Sequence, residues 1–273
     1  MKKEPIPLFW WSEPRLMRKS HENYGDLLSK YIVEKISGRK VRWVHPKKIP
    51  WFKINKKNYL ATGSIIHHAI KNSIVWGSGI IDHKQAIASA EIRAVRGPRT
   101  REYLGKQGVS CPEVYGDPAL LLPNLYHPKV SKSYKIGIIA HYNDYRLVEK
   151  MFRKNKGILV INLMTMDVES VTREILSCQK IISSSLHGII VSHAYHIPAI
   201  WVEFSKNIFG DGIKYRDYLE SIGLAFYEPP YLESCIDIED MEKMIAELPN
   251  SPNPQKITEV QDGLMEVCPF KRQ

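Results

Sequence analysis

The stretch Lys180-Ile181-Ile182-Ser183-Ser184-Ser185-Leu186-His187-Gly188 decides how the chain folds. Its apolar start has the composition of a buried strand, and three serines lead straight into helical spacing that continues to about residue 195. A strand that turns so quickly into a helix is half of a βαβ unit, so a parallel sheet is expected. The first N–H groups of a helix have no partner within it, and the helix dipole adds positive potential, so this turn favours an anion. Serine hydroxyls add donors, and Gly188 permits close approach of a ligand or of neighbouring backbone. His187 is placed to carry a proton beside such an anion. The plainer alternative has Ser183 capping the helix and His187 as an ordinary hydrogen-bonded residue at its start.

The same alternation repeats on either side. Upstream, 135–140 and 158–161 read as strands, with helical spacing over about 145–153 and a second helix from its cap Asp167 to about 178. Downstream, 199–202 closes the unit as a strand. In the first half, runs at 6–11, 41–44, 59–62, 73–76 and 92–95 are strand candidates, and the prolines of the first suggest an edge or an irregular start. Leu27, Leu28, Tyr31, Ile32 and Ile36 follow Tyr24-Gly25-Asp26 at helix spacing until Gly38 stops them, and another helix covers about 98–105. Pro118, Pro123, Asn124, His127 and Pro128 mark 118–133 as a linker. The expected class is α/β, with domains over 1–130 and 131–248. The tail, 249–273, is weakly helical and able to pack back on the first domain.

The 273 residues exceed one ordinary domain, and 44% hydrophobic with 25% charged residues is a globular composition. No run approaches the roughly 20 apolar residues of a membrane-spanning helix. Prolines and charges break the short apolar stretch near the start, which does not read as a secretion signal. Cys111, Cys178, Cys235 and Cys268 are widely spaced, which gives neither a zinc site nor a disulfide framework and fits a reducing cytoplasm. The net charge of +10 is concentrated in the first 129 residues, with 23 Lys+Arg against 10 Asp+Glu. That half invites a phosphorylated substrate, anionic lipid or nucleic acid.

Two further turns lie at expected strand ends, where α/β sheets bind ligands. In Ala94-Val95-Arg96-Gly97-Pro98-Arg99-Thr100 a strand ends in arginine, Gly97 turns and Pro98 opens a helix. Arg96 and Arg99 carry the planar fork that suits carboxylate or phosphate, or they are surface charges. In Glu22-Asn23-Tyr24-Gly25-Asp26, the aspartate suits a base or a sugar-orienting group, and equally suits a first helical turn by charge alone. Gly77-Ser78-Gly79 lacks the third glycine of a dinucleotide fingerprint, and Tyr115-Gly116-Asp117-Pro118 reads as a structural turn. Neither a P-loop nor an HExxH helix occurs.

Taken in order, these segments resemble the polysaccharide pyruvyltransferase family. The matching pieces are Asn23-Tyr24-Gly25-Asp26, Gly77-Ser78-Gly79, Arg96-Gly97-Pro98-Arg99-Thr100, Gly116-Asp117-Pro118, Ser185-Leu186-His187-Gly188 and the stretch from Gly210 through Lys214 to Tyr218. The resemblance implies a GT-B-like fold, two Rossmann-like domains facing across a cleft, with the acceptor on the first and the donor on the second. It also implies transfer of pyruvate from phosphoenolpyruvate onto two sugar hydroxyls as a ketal, in surface polysaccharide synthesis, without cofactor or metal. His187 and Arg96 match family positions linked to phosphoenolpyruvate. Many members carry arginine directly before Leu-His-Gly. Here Ser185 stands there, so either Lys206, Lys214 or Arg99 supplies the missing charge or the donor is a different one.

On this reading Arg96, Arg99, Lys214 and the helix start at Ser184, Ser185, Leu186 and Gly188 hold the donor. His187 protonates its methylene carbon and Asp26 deprotonates a sugar hydroxyl, with Asn23 and Gly25 completing the binding set. Residues 43–57 interleave Trp43, Trp51 and Phe52 with Lys47, Lys48, Lys53, Lys56 and Lys57. That suits peripheral contact with the inner face of the cytoplasmic membrane and a lipid-linked sugar acceptor, or else is a solvated basic loop with partly buried aromatics. The rival readings are a GT-B glycosyltransferase using a sugar nucleotide and a non-enzymatic nucleic-acid-binding protein. The pI near 9.3 prompts the second, but no nucleic-acid module occurs and no nucleic-acid partner is expected.

Overall fold

The computed structural model describes residues 4–206 and 210–271. The first part of the chain runs β1 (Ile6–Phe9), α1 (Glu13–Met17), β2 (Glu22–Asn23), α2 (Tyr24–Ser37), β3 (Val41–Trp43), β4 (Asn58–Leu60), β5 (Ser73–Trp76), β6 (Glu91–Ala94), α3 (Pro98–Lys106) and α4 (Leu122–Leu125). It continues with β7 (Tyr134–Ile139), α5 (Tyr145–Phe152), β8 (Ile158–Ile161), β9 (Met164–Thr165), α6 (Val168–Leu176), β10 (Cys178–Ser183), α7 (Leu186–Ala194) and β11 (Ala199–Trp201). Three helices end it: α8 (Ile213–Ser221), α9 (Ile238–Glu247) and α10 (Pro254–Glu266).

Two parallel sheets result, in orders β3-β1-β4-β5-β6 and β11-β10-β7-β8. Each is doubly wound, and its order reverses once, between β1 and β4 in the first and between β7 and β10 in the second. The two halves are also tied by a short antiparallel pair of β2 with β9.

Strand periodicity explains the layering. Ile136, Ile138, Ile182 and Ile200 pack with Val148 and Phe152 of α5 and Met241 and Ile245 of α9. The alternate residues Ile139, Ile181, Ala199 and Trp201 join the larger core that contains α6 and α7. Covering both faces is what a parallel sheet requires. That larger core also takes Ile6 and Leu8 of β1, Leu28 and Ile32 of α2 and Leu264 of α10, so one apolar cluster spans both sheets. Each such Leu or Ile contributes about 2 kcal/mol when removed from water. In α2 the Asn23 side chain accepts from Gly25 N–H at the start, and Gly38 ends it at φ 65°.

Two sequence expectations are corrected. The edge position is overturned and the irregular start holds: β1 is an interior strand despite Pro7, because pairing with β4 begins only at Leu8 and no ladder donor is needed from Pro7 on that side. The stretch expected as a linker starts instead with a 3-10 turn, Pro118–Leu121, which is buried and leads into α4. Ala119 and Leu120 to Leu122 pack in the shared core, and the Leu120 carbonyl accepts from Gln261 of α10 at 2.7 Å. The prolines there reverse the chain rather than expose it. α10 lies back on the first sheet, where its Leu264 carbonyl accepts from Trp76 Nε1 at 2.8 Å.

Candidate active site

Both reversal points open on one cavity of about 550 Å³. The segment after β1 supplies Trp11 and Glu13, and that after β4 supplies Ser64, Ile65, His67 and His68. From the second sheet come His141 and Tyr142 after β7, and Ser185, Leu186 and His187 after β10. Asn23 and Asp26 at the start of α2, and Lys214 of α8, complete the polar wall. This is the crevice beyond the carboxyl ends of the strands, where doubly wound sheets bind ligands.

The starts of α2 and α7 touch. An added Cβ on Gly25 would lie 2.1 Å from Nδ1 of His187, so only glycine leaves room for the ring. The other nitrogen, Nε2, is buried and 3.6 Å from Oδ2 of Asp117. Asp117 is itself fixed, accepting from Ala119 N–H at 3.0 Å and Gly63 N–H at 3.3 Å. The serines divide their work. The Ser183 hydroxyl accepts from Ser185 N–H, and that of Ser184 accepts from His141 N–H, which shapes the turn. Ser185, not Ser183, is the N-cap of α7, and its side chain makes no capping bond. Gly188 packs against β10, where a Cβ would meet the Ser183 hydroxyl at 2.5 Å.

The charges in the wall are coupled. Burial pushes the Asp26 carboxyl up to about 7; the His187 charge opposes this, Glu13 and Glu22 add to it, and Lys214 opposes it. Burial pulls the Lys214 ammonium down to about 8, with Arg96 adding to the effect and Asp26 opposing it. Burial, then the charges of Lys214 and Lys19, hold His141 near 4. Burial, then His67, His45 and Lys47, hold His68 near 3, and His67 is lowered by burial and Lys47 against Asp82. At neutral pH these three imidazoles are uncharged donors and acceptors.

The two arginines do not line the cavity. Arg96 is fully buried, with Nε on Asp217 at 3.0 Å, Nη1 on the Ser64 hydroxyl at 2.6 Å and Nη2 on the Ile80 carbonyl at 2.6 Å. It stands one layer back, behind Ser64, and its charge still bears on Lys214. Asp217 also accepts from Thr100 N–H and hydroxyl, so the α3 start is taken by a carboxylate of this protein. Arg99 is paired bidentately with Glu220 at 2.7 and 2.8 Å and with Glu102 at 3.1 Å. Lys206 is not among the described lining residues. Thus His187, Asp26, Asn23, Ser185, Leu186 and Lys214 meet in the cavity, Gly25 abuts His187, and Ser184 and Gly188 support the turn. Sequence reasoning missed Trp11, Glu13, His67, His68, His141 and Tyr142, and took Asp117 for a turn residue only. Most of these follow the carboxyl end of a sheet strand, which is the signal that finds them.

The fold and cavity define a doubly wound α/β protein whose crevice gathers carboxylate, imidazole and ammonium groups beside the start of α7. A family model for polysaccharide pyruvyl transferase matches residues 23–205, about two thirds of the chain, and the chain belongs to that family. It is 32% identical over 210 residues to an uncharacterized protein of Acanthamoeba polyphaga mimivirus, covering 74% of this chain and 71% of the other. It is 22% identical over 231 residues to the succinoglycan biosynthesis protein ExoV of Rhizobium meliloti, covering 81% of this chain and 66% of that one.

Proposed function

We propose that the chain transfers pyruvate from phosphoenolpyruvate onto two hydroxyls of a sugar, forming a ketal during polysaccharide biosynthesis. The observation that carries this reading is the meeting of His187, Asp26 and Lys214 at the uncapped start of α7, in one cavity. Phosphoenolpyruvate bears a carboxylate and a phosphate, and the α7 N–H groups with Lys214 offer it donors and charge. Lys214 is then the cation that makes up for Ser185, with Arg96 adding potential from behind Ser64.

In this mechanism His187 protonates the methylene carbon through Nδ1, since Nε2 faces Asp117. C2 becomes electrophilic, and a sugar hydroxyl adds to it while its proton passes to Asp26. The bond between C2 and the phosphate ester oxygen breaks, phosphate leaves, and a second hydroxyl adds at C2 to close the ketal. Of the two hydroxyl protons, the one taken by Asp26 leaves with phosphate, and the other restores His187, whose own proton is now on the methyl group. A carboxyl near 7 exists in both forms at neutral pH, which suits it to proton exchange.

Trp11, His67, His68 and Gln85 form the neutral part of the lining and suit a sugar, which is uncharged and polar. They come from the first half of the chain, whereas Lys214 and α7 come from the second. That division supports a GT-B-like arrangement with acceptor over 1–130 and donor over 131–248. A lipid-linked sugar is the proposed acceptor.

Incubation with phosphoenolpyruvate and a panel of free and lipid-linked galactosides, followed by mass spectrometry and a phosphate assay, tests the function. Equal amounts of ketal and phosphate are expected. Thermal protection by sugar nucleotides, with none from phosphoenolpyruvate, would replace this reading with glycosyl transfer.

A further inference from the structure

The segment between β3 and β4 presents an unusual surface. Trp51 is 87% exposed, Phe52 71% and Ile54 103%, three large apolar side chains within four residues. Lys47, Lys48, Lys53 and Lys57 around them are exposed and Lys56 is partly so. Single exposed apolar residues are ordinary in a folded protein, but three clustered in one short segment are not. The charge around it is one-sided: between Glu34 and Asp82 the chain has ten Lys and Arg and no Asp or Glu.

We propose that residues 47–57 dock this protein on an anionic phospholipid bilayer. Trp51, Phe52 and Ile54 enter the headgroup region, and the lysines meet the lipid charges. Aromatic and aliphatic tips among lysines match both layers of such a surface, apolar within and negative outside. A nucleic-acid strand would want stacking rings along a groove, and Ile54 offers no ring. No helix among the described residues is long and apolar enough to cross a membrane, and the contact proposed is with the surface.

The patch adjoins the cavity. At its root the His45 ring lies 5.3 Å from that of His68, which lines the neutral wall, and the charge of Lys47 bears on His67 and His68. Docking through this patch would bring that wall near lipid-borne sugars. This last step rests on the acceptor reading, whereas docking itself does not depend on it.

The test is co-sedimentation of the full chain with vesicles of phosphatidylcholine, with and without phosphatidylserine. Wild type is compared with W51A/F52A/I54A and with K48E/K53E/K57E, all checked for equal melting temperature. Binding only to the phosphatidylserine vesicles, weakened about tenfold or more in each variant, is expected. Absence of binding by wild type, or binding that neither variant weakens, overturns the proposal. So does salt-dependent RNA or DNA binding without vesicle binding, lost in the lysine variant alone. Pyruvyl transfer to a water-soluble acceptor, read in parallel, is expected to be unchanged in both variants. Its failure in wild type would count against the proposed function and leave the docking result standing.

Discussion

Nε2 of His187 lies 3.6 Å from Oδ2 of Asp117 and has no hydrogen-bond partner among the described residues. Bonds from Gly63 and Ala119 hold that carboxylate in place, and in the proposed mechanism it orients the ring and balances the imidazolium that donates the proton. Asp117→Asn keeps an oxygen for the Ala119 bond and removes the charge. Turnover is expected to fall roughly 10- to 100-fold, part of the usual acid–base contribution, with KM for phosphoenolpyruvate little changed. Unchanged kcat would remove Asp117 from the positioning role.

Gly25→Ala tests the contact between the two helix starts. In an open helix the change stabilises by about 0.5–1 kcal/mol, but here the new Cβ would press on the His187 ring. Both melting temperature and activity are expected to drop. In a His187→Ala background the melting penalty should disappear; an equal penalty in both backgrounds would mean that the clash lies elsewhere.

Raised and lowered ionisations make stability depend on pH in opposite senses. The native Asp26 carboxyl sits near 7 against an ordinary 3.8, so the native state holds more protons between those values and loses stability as pH rises through them. Asp26→Asn should therefore melt above wild type at pH 8, with the gap closing near pH 4. Lys214 sits near 8 against 10.5, so the native state holds fewer protons and regains stability as pH rises from 8 to 10.5. Binding of phosphoenolpyruvate, measured by calorimetry, should weaken above pH 8 as Lys214 loses its charge. A flat affinity from pH 7 to 9 would argue against Lys214 as the donor's cation.

Arg96 and Arg99 differ in what holds them, and their removal should differ accordingly. Arg96→Met leaves the buried Asp217 without its cation and is expected to cost about 3–5 kcal/mol of stability in urea unfolding. Arg99→Met removes a pair one-third exposed on the arginine side and should cost at most about 1 kcal/mol. Equal losses would contradict the burial that separates them.

The fold was legible where periodicity was strong. The segment from β7 to β11 follows its apolar runs almost residue for residue, because strands buried on both faces leave continuous hydrophobic signatures. The linker was not legible, since Pro118 and Pro123 signal a turn whether or not the turn is covered by α7 and α10. His187, Asp26 and Lys214 could be found because motifs near helix starts are local. The fates of Arg96 and Arg99 could not, because their partners Asp217 and Glu220 lie 121 residues further along the chain.

Separating binding from turnover shows whether the α7 start holds a small dianion and His187 protonates it. Calorimetry with phosphoenolpyruvate and phosphate release with an acceptor would be measured on wild type, His187→Ala and Lys214→Met. His187→Ala is expected still to bind the donor but to release phosphate roughly 10²–10⁴ times more slowly, whereas Lys214→Met binds it weakly. Normal phosphate release by His187→Ala would rule out His187 as the acid, and donor affinity untouched in Lys214→Met would rule out Lys214 as the donor's cation.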